Sequence, residues 1–129
     1  MVEQPRARAT DEAIRETADA VGALMEAWGF KRNMGRMWTL LYLEGRALAA
    51  AELSDRLSLS AGSVSMLVTE LIEWGAVHRE WVPGDRKDYF TAETNIWKMV
   101  SRVFRDRELR WIMSARDRFA HARERLPDD

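Results

Sequence analysis

The apolar residues change period between Leu48 and Asp88, and the change outlines a fold. Ala51, Leu53, Leu57 and Leu59 form the apolar side of a short helix. After a break around Ser58, Val64, Leu67, Val68, Leu71 and Ile72 fall at i, i+3, i+4, i+7 and i+8, one face of a second helix. Ser60 offers a hydroxyl to the orphan N–H groups at the start of that helix, and Gly75 accepts the left-handed backbone that ends it. The period then falls to two, with Val77, Arg79 and Trp81 on one side and His78, Glu80 and Val82 on the other. Pro83-Gly84-Asp85 is a turn in which Pro fixes φ, Gly takes positive φ and Asp bonds its own backbone, and Tyr89, Phe90 and Thr91 return. Two helices joined by a few residues, then a hairpin with a charged tip, predict a winged helix-turn-helix. The segment Ala47 to Ala49 is placed to add a third strand.

The flanking segments predict helices. Met1 to Ala9 show no periodicity and are expected to fray. A helix is expected from a Thr10 cap to Trp28, with Ile14, Ala18, Val21, Leu24, Met25 and Trp28 on one stripe and Gly29 as its stop. Asn33 is a candidate cap for a central, buried helix in which Met37, Trp38, Leu40, Leu41, Tyr42 and Leu43 wrap nearly all sides. From Asn95 to Leu126 runs a long charged helical pattern with a possible break near Glu108. Neither terminal stripe finds a sufficient partner in one compact winged domain, so both predict a two-fold dimer. The fold class is therefore mostly α with a small β-hairpin wing. It is one domain over 1–129, in which 10–29 and 95–126 are dimerisation helices and 30–94 is the winged helix-turn-helix.

Composition narrows the class. At 47% hydrophobic and 32% charged, 129 residues suit one soluble globular domain. Without cysteine there is no disulfide, thiol nucleophile or zinc-thiolate site. The N-terminal residues lack the apolar core of a signal peptide and no apolar run is long enough to span a bilayer, so a cytoplasmic location is expected. A net charge of −1 counts against a nucleic-acid binder, because phosphate neutralisation supplies most non-specific affinity. Distribution qualifies the sum: Asp11, Glu12, Glu16, Asp19 and Glu26 make the first helix acidic, whereas Lys31, Arg32 and Arg36 open the next and Arg86 and Lys87 sit at the hairpin tip. Opposite its apolar face, the second helix of the pair carries Gly62, Ser63, Ser65, Met66, Thr69 and Glu73. Short side chains let a backbone approach a major groove while hydroxyls bond base edges or phosphates.

The stretches SAGSVSMLVTELIEWGAV and VPGDRKDYF, followed by NIWKMVSRVFRDRE, resemble the MarR superfamily of bacterial transcriptional regulators, and within it the GbsR-type branch. The resemblance covers about Phe30 to Glu108. It implies that the small-polar helix docks in the major groove and that the wing arginine, here Arg86 held by neighbouring Asp85, reaches the minor groove or its phosphates. Lys87 adds a backbone contact. Members of this branch run longer beyond the wing, a departure that bears on effector binding more than on DNA binding. The candidate DNA contacts are thus Ser60, Gly62, Ser63, Ser65, Met66, Thr69, Arg86, Lys87, Lys31 and Arg36.

His78 and His121 stand in different elements without a partner at ligand spacing, and no catalytic constellation occurs, so neither a metal, a cofactor nor an enzyme is expected. Six tryptophans suit packing, since aromatics at helical spacing usually pack. The GbsR-type resemblance, whose members include choline responders, implies a sharper use: Trp28, Trp38, Tyr42 and Trp97 as a cage for a quaternary ammonium ligand, held by cation–π attraction. The expected function is a homodimeric, sequence-specific DNA-binding transcriptional regulator of repressor type, controlled by such a ligand. The alternative is a winged-helix protein–protein interaction module without DNA binding.

Overall fold

The computed structural model describes residues 5–127, with side chains from Thr10 onward; Met1 to Gln4 of the expected frayed tail lie outside the described residues. The elements are α1 (Pro5–Ala27), α2 (Arg32–Glu44), β1 (Leu48–Ala49), α3 (Ala50–Leu57), α4 (Ala61–Glu73), β2 (Val77–Trp81), β3 (Asp88–Ala92) and α5 (Ile96–Arg125). The chain divides after Thr94 into two units, the first holding α1 to β3 and the second α5.

In the first unit α2 is central. Met34, Met37, Leu40 and Leu41 are buried along it, and around them lie Leu53 and Leu57 of α3 and Val64, Leu67, Val68 and Leu71 of α4. Leu48, Val77, Phe90 and Ala92 complete this core from the sheet. Each of these side chains larger than alanine contributes about 1.5–3 kcal/mol of transfer free energy. The sheet is antiparallel with order β1-β3-β2, Leu48 opposite Phe90 and Phe90 opposite Arg79. Two residues of β1 are therefore enough to make β3 the middle strand, as the position of Ala47 to Ala49 predicts.

Helix α1 lies against α2 through glycine. A Cβ on Gly35 would stand 3.0 Å from the Gly22 Cα and 3.0 Å from the Val21 carbonyl oxygen, and one on Gly22 would stand 2.8 Å from the Arg32 carbonyl oxygen. Backbones this close leave no room for any side chain at either position. Ile14, Ala18 and Gly22, one turn apart, are buried along this side.

Several boundaries differ from the sequence expectation. Helix α1 is already helical at Pro5, so Thr10 lies inside it: the Ala and Arg residues after Pro5 are good helix formers, and Pro is tolerated in a first turn. Asn33 does not cap α2. The cap position is Lys31, and Asn33, already helical, accepts from Arg36 instead. Tyr42 and Leu43 are exposed, so α2 is buried on fewer sides than its composition suggests. The α1 stripe does not wait for a second chain, because Ile14 and Ala18 are buried within the first unit; Leu24 and Trp28 remain exposed. Helix α5 runs unbroken past Glu108, from an Asn95 cap that accepts the Lys98 N–H at 3.0 Å, and none of its residues is buried.

The glycine crossing makes a stability prediction. Gly35→Ala should lower the urea midpoint, a net loss of about 1–2 kcal/mol even though alanine gains roughly 1 kcal/mol over glycine in a helix, because backbone must shift to admit the methyl group. A stabilised variant would show that the two helices separate freely.

Candidate nucleic-acid interface

Helix α4 is fixed at both ends by local bonds. Ser60 Oγ accepts the Ser63 N–H at 3.1 Å, the expected cap, an arrangement worth about 1 kcal/mol. At the other end Gly75, at φ 74°, turns the chain so that its N–H reaches the Ile72 carbonyl at 3.0 Å while the Ala76 N–H reaches Leu71 at 2.9 Å. The entry from α3 is less ordinary. Ser58 takes a left-handed conformation (φ 54°, ψ 47°), which costs a non-glycine residue on the order of 1 kcal/mol. Its surroundings hold it there: the Leu59 N–H donates to the Ser54 carbonyl at 3.0 Å, and the Ser54 hydroxyl donates back to the Leu59 carbonyl.

With Val64, Leu67, Val68 and Leu71 buried, the rotation of α4 is settled and its other face is open. Ser60, Gly62, Ser65, Met66 and Thr69 are exposed, Met66 at 62%, while Ser63 is half-buried behind the cap. Nothing lies within 4 Å of a Cβ built on Gly62, so that turn of backbone is bare to an approaching surface. Thr69 Oγ1 donates to the Ser65 carbonyl at 2.9 Å and keeps its lone pairs as acceptors.

The basic groups divide into engaged and free. Arg36, a candidate DNA contact by sequence, is engaged within the fold: its guanidinium donates to Asp19 of α1 at 3.1 Å, to Asn33 Oδ1 at 2.8 Å and to the Leu57 carbonyl that ends α3 at 3.1 Å, and the side chain is 18% exposed. It is a clip between three helices, not a free cation. Lys31 pairs with Glu70 on α4 and Arg32 with Glu26. Such exposed pairs are worth about 0–1 kcal/mol and exchange partners readily, so the charges of Lys31 and Arg32 are only lightly engaged.

At the wing the predicted turn is present, with the Asp85 N–H donating to the Val82 carbonyl at 3.1 Å across Gly84 at φ 83°. Asp85 does not hold the Arg86 side chain, as the resemblance implies. Its Oδ1 accepts the Lys87 backbone N–H at 2.9 Å and its Oδ2 accepts the Tyr89 hydroxyl at 2.6 Å. The Tyr89 bond first, and the Lys87 N–H next, keep this carboxyl below its ordinary range; the same bond raises the Tyr89 phenol. The Arg86 guanidinium and the Lys87 ammonium make no hydrogen bond or ion pair among the described residues. Trp81, at the tip end of β2, is 75% exposed rather than packed. Tyr89 was legible only as a strand residue, although its spacing of four from Asp85 across the turn is the signal for their bond.

The ring and histidine candidates are placed as follows. Trp38 and Tyr42, one turn apart on α2, stack on each other at 4.9 Å and 24°, so each turns one face to the other and not to a common centre. Trp28 is half-exposed in the same unit, and Trp97 stands exposed on α5 in the second. His78 Nε2 meets Glu93 Oε2, tying the base of the hairpin. No group of three or more His, Asp or Glu poised for a metal ion occurs among the described residues, and no described helix is long and apolar enough to cross a membrane.

A short helix, a tight turn, a second helix with a bare polar face and a three-stranded wing define a winged helix-turn-helix. The chain belongs to the MarR family, whose model matches residues 20–88. It is similar to the HTH-type transcriptional repressor GbsR of Bacillus subtilis (strain 168), 26% identical over 104 residues, covering 81% of this chain and 57% of that protein. It is also similar to the HTH-type transcriptional regulator MmpR5 of Mycobacterium tuberculosis, 32% identical over 84 residues, 64% of this chain and 50% of that one. The chain thus spans about half the length of these curated relatives. A crystal structure of a transcriptional regulator superimposes with a TM-score of 0.72 at 28% identity, over 89% of this chain and 78% of the other.

Proposed function

We propose that the protein is a sequence-specific DNA-binding transcriptional regulator that acts as a homodimer and represses its target. The observation that carries this reading is the pairing of two exposed features in one unit: the short polar face of α4 around Gly62, and a wing tip whose two cations are unspent. The first suits base edges in a major groove, the second suits phosphates or a narrow minor groove. The names of the similar proteins, a repressor and a regulator, point the same way. The near-neutral net charge favours a second reading, a winged helix that docks on protein.

Salt separates the two, since counterion release makes DNA affinity fall steeply with ionic strength. On DNA from upstream of its own gene, Arg86→Ala should weaken specific and random binding alike and flatten the slope of log affinity against log salt by about one per subunit. Ser65→Ala with Thr69→Ala should leave that slope and lower the preference for operator over random DNA by roughly 1–3 kcal/mol per lost base contact. A double variant that kept its preference would move the protein-docking reading ahead.

Support for the dimer is the apolar surface of α5, where Trp111, Ile112 and Phe119 are all more than half exposed on a helix of 30 residues. Large apolar side chains left open along one element mark interaction surfaces. Phe119→Glu would bury a carboxylate in that interface, so sedimentation at micromolar concentration should show monomer where the parent shows dimer. An unchanged dimer mass would place the interface elsewhere. Control by a quaternary ammonium effector is the remaining part of the proposal, supported within the first unit by the exposure of Trp28 and Tyr42. Choline should then change tryptophan fluorescence saturably, and Trp38→Ala should abolish the change; a flat titration would return the rings to packing.

A further inference from the structure

The wing tip is a short connection from Val82 to Lys87, and its turn, closed by the Asp85 N–H on Val82, constrains Pro83 and Gly84 but stops before the two cations. Arg86 and Lys87 follow on long rotatable side chains. Immediately beyond Asp88, Tyr89 stands in the middle strand, opposite Ala49 of β1 and Glu80 of β2, so its backbone is held from both sides. From that fixed point its hydroxyl reaches back to Asp85 Oδ2 at 2.6 Å, and the other carboxylate oxygen takes the Lys87 N–H at 2.9 Å. Arg86 and Lys87 are thereby bracketed between the closed turn and the central strand.

We propose that Tyr89 is a positioning residue for DNA binding: through Asp85 it ties the wing tip to the middle of the sheet and so sets where Arg86 and Lys87 present their charge. This rests on the DNA-binding reading above. An ordered tip loses less conformational freedom when it meets a phosphate backbone, and that saving appears as affinity without a new contact. The carboxylate serves the same end in a second way. Its oxygens take the Lys87 N–H and the Tyr89 hydroxyl, and the Arg86 guanidinium makes no ion pair with it.

The test is a double-mutant cycle with a readout that needs no DNA. Tyr89→Phe keeps the ring and removes only the hydroxyl. It should weaken DNA binding roughly threefold to tenfold, the range of one net hydrogen bond, with an unchanged melting temperature to within a few degrees. In an Arg86→Ala/Lys87→Ala background, measured at low salt, the same change should cost nothing. In the free protein, hydrogen exchange at the Lys87 amide should accelerate in Tyr89→Phe, and Asp85→Ala, which removes the acceptor from the other side, should reproduce both effects. An equal loss with and without the two cations would overturn the proposal, as would an unchanged Lys87 exchange rate. A parent protein without salt-dependent DNA binding would refute the DNA reading alone; the exchange rates would then decide separately whether Tyr89 orders the tip.

Discussion

The close crossing of α1 and α2 at Gly22 and Gly35 is the constraint on which the first unit depends. With no side chain at Gly22, the Arg36 stem lies against α1, where a Cβ would meet its Cγ at 2.9 Å. From there the guanidinium spreads to Asp19, to Asn33 and to the last carbonyl of α3. Charged donors that cap a helix C-terminus are favoured by the local dipole, and the fork geometry of arginine fixes direction as well as distance. One side chain therefore joins the support helices to the turn at Ser58, and the turn determines how α4 is presented.

That arrangement also explains how a chain with a net charge of −1 can offer a basic surface. Lys31, Arg32 and Arg36 are all paired within the first unit, Lys31 and Arg32 only through exposed ion pairs. The two cations of the wing tip are not. A field built from so few free charges gives modest non-specific attraction, and discrimination falls more heavily on the shape and hydroxyls of α4. The hydrogen bonds around Asp85 suit this economy, because a fixed tip makes better use of two charges than a loose one.

Helix α5 poses the opposite case, a long element with little to hold it. It carries i,i+4 support, with Arg102 near Asp106 and the Arg107 guanidinium 4.4 Å from the Trp111 ring centre. Such pairs add only about 0.2–0.5 kcal/mol each, and most helical stability in proteins comes from packing an apolar face. Exposed Trp111, Ile112 and Phe119 are that face, and a second copy is the partner that the proposed dimer supplies.

The sequence by itself determined the order of elements from Leu48 onward, the cap at Ser60, the stop at Gly75, the turn at Gly84 and the open face of α4. All of these are written in local periodicity or in the behaviour of one residue type, and local physics is the same wherever the segment sits. It also carried the family, since its motifs keep their spacing. What only the tertiary structure decided involves partners distant along the chain. Gly22 continues the line of Ile14 and Ala18 and Gly35 stands beside Met34, but nothing local announces that the two glycines touch. Arg36 looked like a phosphate contact because a sequence shows a charge without its acceptors, and those lie up to 21 residues away. The same holds for Asp85: a carboxylate beside an arginine suggests an ion pair, but the strand returning through Tyr89 brings a hydroxyl to it from four residues on.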